Sequence, residues 1–341
     1  MNIKINVIIK KVMLIAVIVF SFTAANSQRI TKVDAIGITV SNMEQALDFY
    51  TRVLPFEKLY ETEVYGEAFE KLKGTFGIRY RKVRLRLGQE EIELTDFLTA
   101  GGRSIPEDSR SNDLWFQHIA IVVNDMDAAY RQLRAAGIQH VSTGPQTLPH
   151  TIPAAEGIRA FYFRDPDGHN LELIYFPQGK GNPRWQKPSE KIFLGIDHTA
   201  IGISSTSASR KFYGEVLDIK FQGESINFGS EQEHLNNVAG ARLHISGNKA
   251  EEGFGVEFLE YLTPKTGRAY PADERADDLI HWETILLTDD LDKMYTRLKT
   301  AKVNLISPGI VDFSSDHNYR RGLYLRDPDG HVIGIFEAIR K

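Results

Sequence analysis

RDPDGHNLELIYF, residues 164–176, returns as RDPDGHVIGIFE at residues 326–337. Asp-Pro-Asp-Gly is turn chemistry: proline presets φ at the second turn position, and glycine accepts the positive φ that closes the turn. An apolar, alternating run follows each copy, so each reads as a tight turn feeding a strand. The two copies differ where it matters. Glu172 stands seven residues after Asp165, whereas Gly334 stands seven after Asp327, so a strand carboxylate kept in one half is lost in the other.

Other landmarks repeat at nearly the same offset. DFYTRVL at 48–54 matches KFYGEVL at 211–217, an offset of 163, and IELTDFL at 92–98 matches VEFLEYL at 256–262, an offset of 164. NDMDAAYRQL at 124–133 matches DDLDKMYTRL at 289–298, an offset of 165, and the turn motifs are 162 apart. Such constancy marks a tandem duplication. It gives two domains, 28–178 and 192–341, with a Gly, Pro and charge-rich linker at 179–191. Each half is itself double. A β-rich run at 33–40 meets a capping box, Ser41 with Glu44, and an amphipathic helix through Leu54. Strand-like segments follow at 79–87 and 91–98. The pattern restarts at His118, with Asn124 as a helix cap and strands at 160–164 and 170–176. The chain therefore reads as an α+β protein of four strand-helix-strand-strand-strand modules starting near residues 32, 116, 195 and 280.

The composition, 42% hydrophobic and 25% charged over 341 residues, is that of an ordinary globular protein. Residues 1–27 are set apart: Lys4, Lys10 and Lys11 precede an apolar run and a small-residue ending at Ser27, the layout of a secretory signal. The run is shorter than the roughly 20 residues a membrane span needs, so export to the periplasm or medium is expected, with cleavage near Ser27 and no stable span afterwards. Its removal takes three lysines and no acids from a chain of 41 basic and 45 acidic residues, leaving 38 − 45 = −7. No basic block remains, which argues against nucleic acid as a partner. The absence of cysteine excludes disulfides, thiolate ligands and a cysteine nucleophile.

HIAIVVNDMDAAYRQLRAAGI at 118–138, IELT at 92–95 and DPDGHNLEL at 165–173 resemble the vicinal oxygen chelate superfamily (glyoxalase, bleomycin resistance, extradiol dioxygenase), and most of all a double-domain glyoxalase I. The resemblance covers nearly all of the chain after residue 27. It implies paired modules curling into half-open mixed β-barrels with helices outside. It also implies a divalent metal held by residues on the first and last strands of two modules. Those positions are Ala35 and Glu93 in the first module, His118 and Glu172 in the second, His198 and Glu257 in the third, and Glu283 and Gly334 in the fourth.

Ligand count chooses how the modules pair. Joining first to second and third to fourth leaves both sites incomplete. Joining second to third collects His118, Glu172, His198 and Glu257, and leaves Ala35, Glu93, Glu283 and Gly334 as a dead site. A lone strand histidine is more often structural than a ligand, but four ligand-type residues at the four places one pairing demands, with both non-ligands confined to the other, shift that balance. Two imidazoles and two carboxylates suit one ion of Zn, Ni, Co, Mn or Fe(II). One chain suffices to build this site, so no oligomer is required.

The implied chemistry is that of a lyase or isomerase acting on a small molecule with neighbouring oxygens, by proton abstraction beside a carbonyl and stabilisation of the resulting enediolate, with Glu172 or Glu257 as base. Export counts against the usual glutathione adduct, since that thiol is principally cytoplasmic. A ring-cleaving Fe(II) dioxygenase and a protein that only sequesters a small ligand stay open. The dioxygenase pattern asks for a further histidine before the third strand: His150 is too far upstream, and His317 falls in the module that has Gly334. Among other residues, His234 in the polar stretch 229–237 is a candidate substrate contact. His169 and His331 in the turns read as exposed, His281 as structural, and Arg79, Arg81, Arg84 and Arg86 as charge on an outer sheet face.

Overall fold

The computed structural model describes residues 29–99, 101–313 and 318–338. The expected export signal at 1–27 and His317 lie outside them. The first module holds β1 (Ile30–Val40), α1 (Met43–Asp48), β2 (Glu57–Tyr65), α2 (Glu67–Lys73), β3 (Arg79–Leu87) and β4 (Glu90–Phe97). The second holds β5 (Gln117–Val123), α3 (Met126–Ala135), β6 (Gln139–His140), β7 (Gln146–Thr147), β8 (Arg159–Arg164) and β9 (Asn170–Tyr175). In the third come β10 (Phe193–Ile203), α4 (Thr206–Arg210), β11 (Lys220–Phe228), α5 (Ser230–Asn236), β12 (Arg242–Lys249), β13 (Glu252–Gly253) and β14 (Gly255–Thr263). The fourth has β15 (Trp282–Thr288), α6 (Leu291–Thr300), β16 (Asn304–Leu305), β17 (Val311–Asp312), β18 (Tyr319–Arg326) and β19 (Val332–Ala338).

Two open mixed sheets result, each built on one module of either half, with the short β13 of the third module added alongside β1. One runs β16-β18-β19-β15-β1-β4-β3-β2, joining fourth and first modules; the other runs β11-β12-β14-β10-β5-β9-β8-β6, joining third and second. This is the exchanged pairing that ligand count selects. Within each module the first and last long strands pair in parallel, and the first strands of partner modules, β10 with β5 and β1 with β15, pair antiparallel at the sheet centre. The residues at ligand positions therefore sit on four adjacent strands. Strand alternation does the rest. Ile119, Ile121 and Val123 enter one contiguous apolar core fed by all four modules, while His118 and Ala120 face the opposite, concave side.

The repeated landmarks are the parts that lock modules together. Each first helix widens into a π-helical turn, Phe49–Val53 and Lys211–Val216, which buries the Phe-Tyr pair. The Tyr50 hydroxyl then donates to Asp165 at 3.1 Å and Tyr213 to Asp327 at 3.2 Å, tying each FY motif to a DPDG turn of another module. Gly168 and Gly330 close those turns at φ +94° and +105°. The turn histidines are buried, against the expectation of exposure: His169 Nδ1 meets Asp165 at 2.9 Å, and the Nε2 atoms of His169 and His331 meet the Leu279 and Gly202 carbonyls, each at 2.7 Å. Docking of the turns onto a neighbouring module covers them. It also moves a cap. The Asp167 carboxylate of the turn accepts from the Ser41 amide and hydroxyl, so Asn42, not Ser41, caps α1; Asp125, not Asn124, caps α3. Among the described residues, no helix is long and apolar enough to cross a membrane.

Candidate metal centre

On the β10–β5 seam, His118 lies opposite Ala200 and His198 opposite Ala120, so each imidazole faces a methyl group across the pair. Glu172 on β9 pairs with Ala120, and Glu257 on β14 with Ala200. Alanines at the crossing points leave the space into which the four longer side chains lean. Ligand atoms of His118, Glu172 and His198 fall within 4.8 Å of one another. His118 Nε2 is 3.0 Å from Glu172 Oε2, and His198 Nε2 is 3.6 Å from that oxygen and 3.5 Å from Glu257 Oε1. Glu257 stands at the rim, about a quarter exposed.

Both Nε2 atoms are buried, and neither has a hydrogen-bond partner in acceptable geometry among the described residues. Buried polar atoms are nearly always satisfied. Lone pairs that converge without pairing are what a cation-holding cluster presents. Electrostatics point the same way. Burial opposes protonation of His198, yet Glu257, Asp197 and Glu172 outweigh it and raise its pKa to about 10. Those carboxylates demand a positive charge at this point, whether proton or metal. Burial pulls His118 below its ordinary value despite Glu172, favouring the neutral imidazole that binds metals. Burial, with Glu172 and Asp197 adding and His198 opposing, pushes Glu257 up to about 7.

The sister site supplies an internal control. Glu283, Glu93 and Asp34 face its interior, and each meets a buried cation: Lys73 Nζ contacts Glu283, while Arg84 lies 2.8 Å from Glu93 and 2.7 Å from Asp34. Lys82 Nζ stands 3.7 Å from Glu93. Tyr324 donates to Glu283 at 2.5 Å, and His281 bridges Glu283 at 2.8 Å and Glu274 at 2.5 Å. Burial opposes ionisation of Glu283, but Lys73 and His281 hold it well below the usual carboxylate range; Arg84 and Lys32 likewise bring Asp34 to about 2 against burial. Aromatic rings fill the remaining volume. A Cβ on Gly334 would meet Phe336 at 2.6 Å and Tyr324 at 2.7 Å. Adding the offset of 163 to Lys73, Lys82 and Arg84 gives Asn236, Ile245 and Gly247. The register agrees, since Arg84 pairs with Glu93 as Gly247 pairs with Glu257. One site thus carries lysine and arginine partners for its carboxylates; the other keeps the carboxylates and has Asn236, Ile245 and Gly247 in place of those three cations.

Where those cations are missing, a cavity of about 400 Å³ opens, bordered by Glu172, His198 and Glu257. Three of the four residues proposed as ligands form the tight cluster, and Glu257 adjoins it through His198. His234 does not reach the cavity: helix α5 turns Gln232 and Leu235 to it, and His234, two positions from the first and one from the second, is exposed. Gln232, not His234, borders the cavity. Arg84 is also not where the sequence suggested. It shares strand parity with Arg86, opposite to Arg79 and Arg81, and is buried in the sealed site with 1% of its surface exposed. Asp197 escaped sequence reading altogether. A β-bulge between Ile196 and His198 turns it toward the cavity, where Oδ2 meets His198 Nδ1 at 3.1 Å and Oδ1 accepts from Trp185 Nε1 at 2.6 Å. Its signal was the Asp-His pair in IDHTAIGIS.

Comparison with known proteins agrees with this architecture. The chain is 35% identical over 150 residues to a 2-epi-5-epi-valiolone epimerase of Actinomyces sp, a match covering 42% of this chain and 79% of that protein. It is 28% identical over 142 residues to the uncharacterised protein YwbC of Bacillus subtilis (strain 168), covering 42% and 96%. Glyoxalase I from Zea mays shares the fold, with a TM-score of 0.59 at 15% identity over 91% of this chain and 92% of that one. A sequence model of the Glyoxalase/Bleomycin resistance protein/Dioxygenase superfamily matches residues 32–173 and again residues 195–335. By those two matches, which together take in most of its length, the chain belongs to that superfamily.

Proposed function

We propose that this protein is a divalent-metal-dependent isomerase or epimerase that moves a proton at a carbon next to a carbonyl, working at the single open site between its second and third modules. The observation that carries the reading is the contrast between the two sites: buried carboxylates neutralised by Lys73, Lys82 and Arg84 in one, and carboxylates with no lysine or arginine in those places, beside two imidazoles whose Nε2 atoms lack hydrogen-bond partners, in the other. His118, Glu172, His198 and Glu257 would hold the ion, which when bound supplies Lewis-acid polarisation of adjacent substrate oxygens.

The chain's own groups account for the rest. Glu172 and Glu257 border the cavity, and the rim position of Glu257 lets its carboxylate take a proton from a substrate carbon and return it. Return to the neighbouring carbon gives isomerisation, as the name glyoxalase I implies for the maize protein. Return to the same carbon from the other face gives epimerisation, the reaction named for the Actinomyces relative, and two carboxylates at one site favour that outcome. Asp197 orients His198 through Nδ1. The lysine-then-apolar layout of residues 1–27 supports export of the mature chain, and a mature N-terminus near Gln28 in mass spectrometry checks it.

The test is solvent exchange. In heavy water, metal-loaded protein with a substrate should incorporate deuterium at the carbon next to the carbonyl, without oxygen uptake. Glu172→Gln and Glu257→Gln should each cut that exchange by about 100-fold or more with fold and secondary structure retained. Oxygen consumption would support the ring-cleaving reaction instead, and saturable binding without exchange would support sequestration.

A further inference from the structure

Resting on the proton-transfer reading, we infer that the substrate is an uncharged, polyhydroxylated carbonyl compound, a ketose or cyclic polyol ketone, and not an anionic thiol adduct or a phosphate ester. The first argument is charge. Among the described residues, no lysine or arginine lines the cavity, whereas Glu172, Asp197, Glu224 and Glu257 do. Glu224 is met by Arg210 at 3.5 Å and by His244 at 3.0 Å, and one divalent ion beside the three remaining carboxylates leaves the cavity without net positive charge. A phosphate or carboxylate on the substrate would lose its hydration and meet like charge in return. Sites built for anions present arginine forks, lysines or helix N-termini, and this one presents amides.

The second argument is the direction of those amides. Ser225 Oγ donates to Asn227 Oδ1 at 2.8 Å, Asn227 Nδ2 donates to Gln232 Oε1 at 2.9 Å, and Gln232 Nε2 donates to Asn236 Oδ1. Asn227 and Gln232 are 3% and 1% exposed, yet both border the cavity. A one-way chain of this kind fixes which valences are left over: lone pairs on Ser225 at its head, and the second N–H of each amide along it. Hydroxyl groups, which donate and accept, match such a surface better than groups that only accept.

The third argument is again internal. Subtracting the offset of 163 turns Asn227 into Val64 and Gln232 into Phe69, on the equivalent strand β2 and helix α2. There both are buried in the apolar cluster that fills the sealed site. The fold is therefore satisfied by hydrocarbon at these two positions, and burying amides there has no structural return. What the polar pair provides is recognition of something in the cavity. Leu148, Ile158, Ile174 and Phe176, also at its border, offer an apolar surface for the C–H face of a ring.

The experiment uses full-length, metal-loaded protein and calorimetric titration with four probes: 2-keto-myo-inositol, fructose 6-phosphate, the glutathione hemithioacetal of methylglyoxal, and glucosamine. The expected result is that the uncharged polyol ketone binds about tenfold or more tightly than either anion and than the amine. Asn227→Val and Gln232→Leu, which bring in apolar side chains as at Val64 and Phe69 of the sealed site, should each weaken it by about tenfold in folded protein of unchanged metal content. Tightest binding by an anion or the amine overturns the inference, as does polyol affinity indifferent to both substitutions. Metal content of the same samples separates two failures. Polyol binding by a chain that holds no metal keeps this inference and removes the proton-transfer reading; metal without polyol binding removes this inference alone.

Discussion

His118 and His198 come from different halves of a duplicated chain, yet their Nε2 atoms converge on one carboxylate oxygen of Glu172. The family resemblance supplied the ligand positions, and the repeat carried them from module to module because position along a repeat is a one-dimensional property: Ala35 and His198 sit equally far before Phe49 and Phe212. Asp197 was hidden for a geometric reason. In a regular strand it would project away from the face carrying His198, and only the bulge at Ile196 to His198 brings it round. It is positioned by Trp185, from the segment joining the two halves. Carboxylates behind metal-binding imidazoles typically contribute about 10- to 100-fold in metal affinity. Asp197→Asn, which keeps shape but loses charge, is accordingly expected to weaken metal binding by about tenfold in a competition titration against a chromophoric chelator. Trp185→Phe should produce a smaller loss in the same direction.

Helix α2 and strand β3 do for the sealed site what an ion is proposed to do for the open one. Lys73 is at the C-terminal end of α2, followed by Gly74 in the left-handed conformation, and reaches Glu283 on β15 of the other half. Removing one partner of a buried pair leaves an uncompensated charge, at a cost of about 3–5 kcal/mol. Lys73→Met should therefore lower unfolding free energy by about that amount in urea, with metal content unchanged. A pH dependence follows from His281. Burial opposes its protonation, but Glu274 and Glu283 outweigh burial and raise its pKa to about 9. A folded-state pKa above the unfolded value of about 6.5 means the stabilisation is complete below that value and fades as pH climbs toward 9, by about 3 kcal/mol at most. Unfolding free energy should fall across this window, and His281→Gln should flatten that part of the profile. Reading β3 as an outer face failed because its arginines divide between two parities. Arg84 alone is drawn inside, by acids on β1 and β4 that no local pattern reveals.

The molecule as a whole is two sheets, each shared between the halves, held by the two DPDG turns and the tyrosines that bond to them. Duplication and four modules were legible because offsets and strand alternation survive in a single sequence; the mixed sheets were implied by the family resemblance. Exchange of modules between halves was legible only through ligand arithmetic, since hydrophobic patterning is the same for either pairing. Burial of the turn histidines was not, because what covers His169 is the carbonyl of Leu279, 110 residues away. Exchange bears on the proposed function: neither half holds all four proposed ligands, so the proposed centre would form only when both are folded together. The most direct test of this account is the metal content of protein purified without chelator, measured by elemental analysis on the wild type and on His118→Ala, His198→Ala and Glu93→Gln. The account predicts about one divalent ion per chain, lost in either histidine variant although they lie in different halves, and retained in Glu93→Gln. Two ions per chain, none, or retention after either histidine is removed would contradict it.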